Sequence, residues 1–508
     1  MNNGKICVSV NAETAEELLK QIRRAEEFAD VIEVRLDYIE PKQMHKTFAF
    51  LVSKKPLLLT YRPKEQGGKA EDNLDSRKVL WNAFVINGAM DTRKLWFDYE
   101  YDLTNLQKVS NPVTIRSFHD FSGTPKNIHN IFENLSAENE IAKIAVQTDE
   151  ITDTIAVWKL LEKAKSKNKQ IIPIAMSEAG KWTRILGLAH GAFMTYASLG
   201  EGNETAPGQI SAQDLIETYR VKELNEQTDV YGILGGNTSV SMSPYIHNAA
   251  FKFHDLNAVF VPLQVQDLDE FIRRMVNPKT REIELNFKGF AVTIPHKQAI
   301  IKHLDFIDET AQAIGAVNTV KIENGKLYGL NTDAKGFIEP LKNSYGDLRG
   351  AKVAILGNGG AARACIYALK KEGAEVVIFA RNPKKAEALA NEFQVELKEF
   401  TKTENQRPKT NFNEFDLLVN TTPLGMKGKF ENETPVVAGQ IENVKMIYDL
   451  VYNPFETRFL KEAKSVGVPT IGGLAMLVSQ AMEQSKIWTG LDAPMKEISR
   501  AALHKLQR

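Results

Sequence analysis

The chain has 508 residues, with 64 basic and 64 acidic side chains, so no net charge favours nucleic acid or an anionic membrane. A hydrophobic share of 43% is that of a globular protein, and no apolar run approaches the ~18 residues of a membrane span. Cys7 and Cys365 stand alone, which excludes a disulfide framework and points to a reducing cytoplasm. The length suggests roughly three domains. MNNGKICVSV enters a predicted strand at once and reads as lacking a signal or transit peptide.

In chain order, eight short apolar runs come first. They are Ile6–Val10, Val31–Leu36, Pro56–Tyr61, Leu95–Tyr99, Pro112–Ser117, Ile141–Val146, Ile171–Met176 and Ala192–Ala197. Mostly helix-length spacers separate them, which predicts a (β/α)8 barrel with its site at the C-terminal strand ends. Polar residues gather at those ends: Glu33 and Arg35 in EVRLD, Arg62 and Glu65 in TYRPKEQGG, and His119 in IRSFHDF. Arg184 closes SEAGKWTR, and TAPGQ brings Thr205 and Gln209. Lys143 stands inside an apolar strand, IAKIAVQ. Burial there lowers an amine's affinity for its proton and makes it a better nucleophile toward a ketone. The alternative is a lysine whose stem packs while its head reaches water. A histidine and three arginines at neighbouring strand ends tilt the balance toward a Schiff-base site for an anionic substrate.

With these motifs residues 1–222 resemble type I 3-dehydroquinate dehydratase. The resemblance implies that Lys143 forms the imine, that His119 transfers the proton and that Glu65 orients it. It implies Arg184 for the substrate carboxylate and Glu33, Arg35 and Arg62 for the hydroxyl network. Gln209 would close the pocket, with Thr205 where the family usually has serine. No metal is implied, and no Cys/His ligand cluster is present to hold one.

VKELNEQTD, residues 221–229, is a polar seam and the predicted domain joint. Beyond it, YGILGGNTSVSMSPYIHNAAF runs a strand into a Gly/Ser-rich loop, and Pro244 favours a helix start. Ser241 and Ser243 stand at that entry, where plain capping is the alternative use of serine. GFAVTIPHK carries Thr293 and Lys297, AIGAVNTV carries Asn318, and GLNTDAKGF carries Asp333. Each alone fits turn chemistry.

Lys352 to Asn382 reads as strand, glycine-rich turn, helix and strand. Gly357, Gly359 and Ala362 fit G-x-G-x-x-A in the context that gives the motif meaning. Glycines let backbone approach a pyrophosphate, and the helix N-terminus supplies donors. Arg381 follows the second strand, where an NAD enzyme usually offers an acid. It suits the 2′-phosphate of NADP(H), with Lys385 assisting.

From about 230 to 490 the chain resembles shikimate dehydrogenase. The resemblance implies a substrate domain at 230–337 and a Rossmann NADP-binding domain at 338–475, with helices from 476–508 returning to the former. It implies catalysis by Lys297 and Asp333 and substrate binding by Ser241, Ser243, Thr293, Asn318, Tyr452 and Gln480. The cofactor would meet Gly357, Asn358, Gly359, Gly360, Ala361, Arg381, Lys385, Thr422, Leu450 and Gly473. Val240 and Ala291 stand where histidine and asparagine are common. The two halves together resemble bifunctional shikimate-pathway enzymes that take 3-dehydroquinate to 3-dehydroshikimate and then, with NADPH, to shikimate. Two alternatives are a fusion to an NAD-dependent quinate-type dehydrogenase, against which Arg381 argues, and an inactive metabolite-binding regulator. Intact Lys143, His119, Lys297 and Asp333 argue against the regulator. Small-molecule substrates are the expected partners, without nucleic acid or membrane.

Overall fold

The structure is a computed structural model in which residues 1–71, 73–86, 94–104, 106, 113–136, 140–200, 202–400 and 410–507 are described. The chain falls into two compact units. Met1–Val230, Asn237–Ser239 and Asn257–Asn286 form the first, and Tyr231–Gly236, Val240–Leu256 and Phe287–Arg508 the second. Among the described residues no helix is long and apolar enough to cross a membrane.

The first unit is built on parallel strands β1 (Lys5–Val10), β2 (Val31–Arg35), β3 (Leu57–Thr60), β4 (Leu95–Glu100), β5 (Val113–Asp120), β6 (Ile141–Gln147), β7 (Ile171–Met176) and β8 (Met194–Ser198). A two-residue β9 (Ile210–Ser211) follows, and the hydrogen-bonded order is β7-β6-β5-β4-β3-β2-β1-β8-β9. The Phe193 N–H donates to the Ile171 carbonyl at 2.9 Å, joining the starts of β8 and β7. That bond brings the two flanks of the row together and curls the sheet in the manner of a (β/α)8 barrel. All eight strands lie on the predicted apolar runs, because a parallel sheet covered on both faces needs apolar side chains on both. Pro112, the predicted start of the fifth run, lies outside the described residues. β5 extends to Asp120, so His119 is a strand residue rather than the first of a loop.

A period of two sorts these strands into layers. Cys7, Val31, Leu58, Trp96, Ile115, Ile141 and Met194 share one buried apolar cluster inside the curl. Two residues further along come Ser9, Glu33, Thr60, Asp98, Ser117 and Lys143, with Ile174 and Tyr196 completing the layer from the apolar cluster itself. The base of the curl is therefore an apolar plug, and the next layer toward the C-terminal strand ends is polar except on β7 and β8. β11 (Ala258–Gln264), which follows β10 (Asp229–Gly235) in the chain, also belongs to the first unit.

The second unit holds two sheets. In one, strands run in the order β10, β12 (Phe287–Val292), β14 (Thr319–Glu323), β15 (Lys326–Leu330), β13 (Phe306–Ile307), with β12, β14 and β15 antiparallel in turn. The other is parallel, in the order β18 (Glu396–Glu399), β17 (Glu375–Ala380), β16 (Lys352–Leu356), β19 (Leu417–Asn420), β20 (Met446–Asp449), β21 (Thr470–Ile471). Alternate residues of β16 feed opposite cores: Val353 and Ile355 one, Ala354 and Leu356 the other. The sheet is thus covered on both faces, and its order turns at β16 and β19. The crevice beyond their C-terminal ends is where such sheets bind ligands. The last two helices, Gly473–Thr489 and Met495–Leu506, pack against helix Ser243–Phe253. Ile246, Ala250, Val478, Ala481, Ile498 and Ala502 share that core. Full burial of an aliphatic side chain such as these isoleucines is worth about 1.5–3 kcal/mol.

Candidate active sites

In the first unit Glu33, Arg35, Arg62, His119, Lys143, Arg184, Thr205 and Gln209 line one pocket. Lys143 is buried, but its surroundings are not the apolar ones its strand suggested. Its Nζ donates to Asp98 Oδ2 at 2.9 Å and lies 3.8 Å from Glu33 Oε1. The same nitrogen stands 4.0 Å above the centroid of the Tyr196 ring. Glu33 is held in turn by Ser9 Oγ at 2.6 Å and Thr60 Oγ1 at 3.0 Å, both from the polar layer.

Asp98 also accepts from Arg62 at 2.8 Å. Burial pushes its carboxyl up, but Lys143 and Arg62 outweigh burial and the carboxyl sits at about 2. Arg62 continues to the ring nitrogens of His119 at 2.6 and 3.0 Å. Burial, followed by the charges of Arg62, Lys143 and Arg35, holds His119 well below the usual histidine range. The imidazole is therefore neutral at pH 7 and able to take a proton. Arg35 is tied to Asp37 by two bonds of 2.9 and 2.7 Å.

Arg184 is different from the other arginines. It is 3% exposed, and among the described residues its guanidinium donates one bond, to the Pro207 carbonyl at 3.2 Å. Its Nε has no partner among the described residues, and burial without a facing carboxylate pushes the guanidinium down to about 10. A buried cation lacking a counter-ion is a site for an anion. Thr205 and Gln209 clasp each other over the same pocket, the Thr205 N–H donating to Gln209 Oε1 at 2.7 Å.

Glu65 falls elsewhere. It is exposed in the short turn Lys64–Gln66, and among the described residues no hydrogen bond joins it to His119. The side chain that turns into the pocket is its neighbour Gln66, 6% exposed. One residue along a tight turn redirects a side chain by about a third of a revolution, so the charge read from the sequence points out and the amide points in. Sequence reasoning also passed over Asp98 and Tyr196. Both lie two residues beyond an apolar plug residue on the same strand face, the signal that marks Lys143.

In the second unit Lys297 forms an ion pair with Asp333, whose other oxygen accepts from Asn318 Nδ2 at 2.8 Å. Asn318 is fixed by Thr332, whose N–H donates to its Oδ1 at 2.8 Å, and its carbonyl accepts from Gln484 at 3.3 Å. Gln484, on the helix Gly473–Thr489, escaped the sequence reading because its spacing is that of an ordinary core face. Ser241 Oγ accepts from the Ser243 N–H at 3.2 Å, and Ser243 opens its helix. Burial pushes the Tyr452 phenol up, against a hydrogen bond from the Met242 N–H that binds it to the same turn. The Thr293 N–H donates to the Leu234 carbonyl at 2.9 Å. Gln480 is buried against Gly336, where a Cβ would stand 2.8 Å from the Gln480 nitrogen. Among the described residues no hydrogen bond joins Ser241, Thr293 or Gln480 to the Lys297–Asp333 pair.

The glycine turn fits a dinucleotide. Gly357 has φ +114°, and a Cβ on it would come within 2.6 Å of Thr421 Oγ1. Asn358 and Gly359 are exposed, Gly360 and Ala361 half-buried, and the helix Gly360–Lys371 begins there. A Cβ on Gly360 would sit 3.3 Å from the Lys297 side chain, so turn and amine are neighbours. Across the crevice, Thr422 donates to Asn420 Oδ1 at 2.6 Å, and Asn420 Nδ2 donates to buried Asp449 at 2.9 Å. The Leu450 N–H donates to the Asn420 carbonyl at 3.0 Å, and Gly473 lies so close that a Cβ would meet the Leu450 carbonyl at 2.3 Å. Arg381 is exposed just past β17 and, among the described residues, has no ion pair or hydrogen bond. Lys385 is exposed on the first turn of helix Pro383–Phe393, which Asn382 caps. No group of histidine, cysteine and acidic side chains able to hold a metal occurs among the described residues.

Four family profiles match the chain: type I 3-dehydroquinase at residues 6–226, shikimate dehydrogenase substrate binding domain at 233–320, shikimate / quinate 5-dehydrogenase at 339–424 and shikimate 5′-dehydrogenase C-terminal domain at 473–503. The chain is 33% identical to a chloroplastic bifunctional 3-dehydroquinate dehydratase/shikimate dehydrogenase of Arabidopsis thaliana, over 97% of this chain and 83% of that one. It is 42% identical to a shikimate dehydrogenase (NADP(+)) of Caldanaerobacter subterraneus, over 53% of this chain and 94% of that one. A crystal structure of a shikimate dehydrogenase in complex with NADP+ aligns with a TM-score of 0.51 and 38% identity, over 56% of this chain and 98% of that one.

One buried group generates a pH dependence. Glu100, two residues beyond Asp98 on the same face, is 0% exposed, and its Oε1 has no partner among the described residues. Burial pushes its carboxyl up to about 7, with Arg62 opposing and Asp98 reinforcing the rise. Between the ordinary glutamate range and pH 7 the folded state keeps a proton that the unfolded chain releases. Stability therefore falls as pH rises through that window. Glu100→Gln should raise the urea midpoint at about pH 8, on the order of 2 kcal/mol, and barely change it at about pH 5. Equal effects at both pH values would count against a neutral carboxyl.

Proposed function

We propose, because this chain belongs to the bifunctional 3-dehydroquinate dehydratase/shikimate dehydrogenase family, that it dehydrates 3-dehydroquinate and reduces the product, 3-dehydroshikimate, to shikimate with NADPH. Residues 1–222 carry the first reaction. Residues 230–337 bind substrate and residues 338–475 bind NADP(H) for the second.

The observation that carries the dehydratase reading is Arg184, a buried guanidinium with no counter-ion among the described residues, opening on the pocket that holds Lys143. It seats the substrate carboxylate and presents the ketone to the amine. Lys143 forms the imine with loss of water, and the iminium draws electrons from the adjacent carbon. His119, neutral through burial and the surrounding cations, takes the proton there and returns one to the departing hydroxyl. Glu33, Arg35 and Arg62 hold the hydroxyl network. Gln209 and Thr205 close the pocket, and Gln66 takes the inward place that Glu65 leaves.

In the second reaction the ketone oxygen must gain a proton. Lys297 and Asp333 bind that oxygen and supply the proton, and Asn318 fixes the carboxylate's direction. Ser241 and Ser243 receive the substrate carboxylate, with Thr293, Tyr452 and Gln480 around the ring. Bound NADPH supplies the hydride. Gly357, Asn358, Gly359, Gly360, Ala361, Thr422, Leu450 and Gly473 shape the cofactor's cradle, and Arg381 with Lys385 meets its 2′-phosphate. Buried free thiols at Cys7 and Cys365 support a reducing cytoplasm as its compartment.

Borohydride added with 3-dehydroquinate should fix a covalent adduct on Lys143, and trapping that persists in Lys143→Ala would sink the Schiff base. Lys143→Ala should abolish dehydration while reduction of supplied 3-dehydroshikimate continues, and Lys297→Ala should do the reverse. One change silencing both activities in folded protein would refute separate sites.

Cofactor choice rests on Arg381. Hydrogen bonds to charged groups contribute roughly 1.5–3 kcal/mol, and exposure draws the effect to the low end, roughly tenfold. Arg381→Ala should raise KM for NADPH by about that factor and leave KM for NADH unchanged, with a larger effect when Lys385 is also removed. Equal weakening of both cofactors would remove the 2′-phosphate role.

A further inference from the structure

Tyr196 has no part in the chemistry above, yet it touches the reacting atom. Its ring lies on the inward face of β8 in the polar layer, and Lys143 Nζ is 4.0 Å from its centroid. The side chain is 4% exposed. Burial, then Glu33, Cys7 and Asp98, push the phenol well above its ordinary range, so it stays neutral. Its hydroxyl is buried and makes no hydrogen bond among the described residues. The ring face, not the hydroxyl, is what the structure applies to Lys143.

We propose that the Tyr196 ring stabilises the positive charge on the Lys143 nitrogen throughout dehydration, as a counterpart to Asp98 that cannot accept a proton. The inference rests on the reading of Lys143 as the imine-forming residue. Among the described residues Asp98 from β4, Glu33 from β2 and Tyr196 from β8 face that nitrogen, and Cys7 from β1 and His119 from β5 also feel its charge. A carboxylate attracts a cation but also competes for its proton. An iminium that gives up its proton becomes a neutral imine, which draws electrons from the neighbouring carbon far less. A neutral aromatic face attracts the cation through its quadrupole and has no lone pair basic enough to remove that proton. In a desolvated site this attraction is at the upper end of its range. The ring thus favours the iminium over both the imine and the departed amine, in the step where His119 removes the adjacent proton.

The test uses the full chain. Borohydride trapping in the unsubstituted protein first establishes the imine on Lys143, and its failure would overturn that premise rather than the role of Tyr196. Tyr196→Leu should then lower kcat for dehydration roughly 10- to 30-fold with KM changed less than about threefold. Tyr196→Phe, which keeps the ring, should recover most of that rate. Near-UV circular dichroism and the urea unfolding transition of the same preparations report that the first unit of each variant has folded. Singly to triply fluorinated phenylalanines at position 196 keep the shape while draining the ring face, and kcat should fall stepwise along that series. If Tyr196→Leu does not fold, the fluorinated series alone decides. Equal losses in the leucine and phenylalanine variants, or a flat response to fluorination, would overturn the proposal.

Discussion

The first site depends on one buried carboxylate. Asp98 has no exposed surface and accepts from Lys143 and from Arg62. Burying such a group alone is prohibitive, and only two adjacent cations make it an anion here. Losing either partner leaves a single cation to hold the buried charge, and breaking a buried pair costs about 3–5 kcal/mol in comparable cases. The same geometry sets the chemistry. Arg62, oriented by Asp98, reaches His119 and deters it from taking a proton before substrate offers one. Amine and imidazole are thus positioned through a single anion.

Local counter-charge, more than depth, decides how each buried acid behaves. Asp98, between two cations, sits at about 2. Asp449 is as deeply buried but has only hydrogen bonds, from Thr457, Val451 and Asn420, and rises to about 6. Glu100 feels Arg62 and Arg77, but burial and the neighbouring Asp98 charge outweigh them and it rises to about 7. Of the two raised acids, Asp449 serves as scaffolding: it fixes Asn420, which orients the loop facing the glycine turn.

Much of this was legible because buried parallel strands write themselves as apolar runs and the polar pocket residues interrupt them. Lys143 stands out in IAKIAVQ for that reason. Asp98 did not, because in LWFDYE it alternates with aromatics like any half-exposed strand residue, and only the curl of the sheet turns that face inward. Glu65 shows the reverse failure. The resemblance points to the charge at 65, while a tight turn gives the inward place to the amide at 66. Gln484 was silent for a third reason: its role is to hold another side chain, and such residues have no motif of their own. The place of Arg381 follows from topology alone, and it stands exposed just past the second strand of the unit.

The closeness of Gly360 to Lys297 has a consequence for redesign. An added methyl at Gly360 would lie 3.3 Å from the lysine stem and at the opening turn of the helix Gly360–Lys371. Changes there cannot act on one ligand alone. A library that alters the glycine turn to accept another nucleotide will carry correlated changes at the hydroxy-acid end, whereas substitutions around Arg381, beyond a different strand, are free to vary by themselves. Evolution faces the same asymmetry. Nucleotide preference can drift at the ribose end of this unit, while the turn remains locked by a neighbour that never touches the nucleotide's distinguishing group.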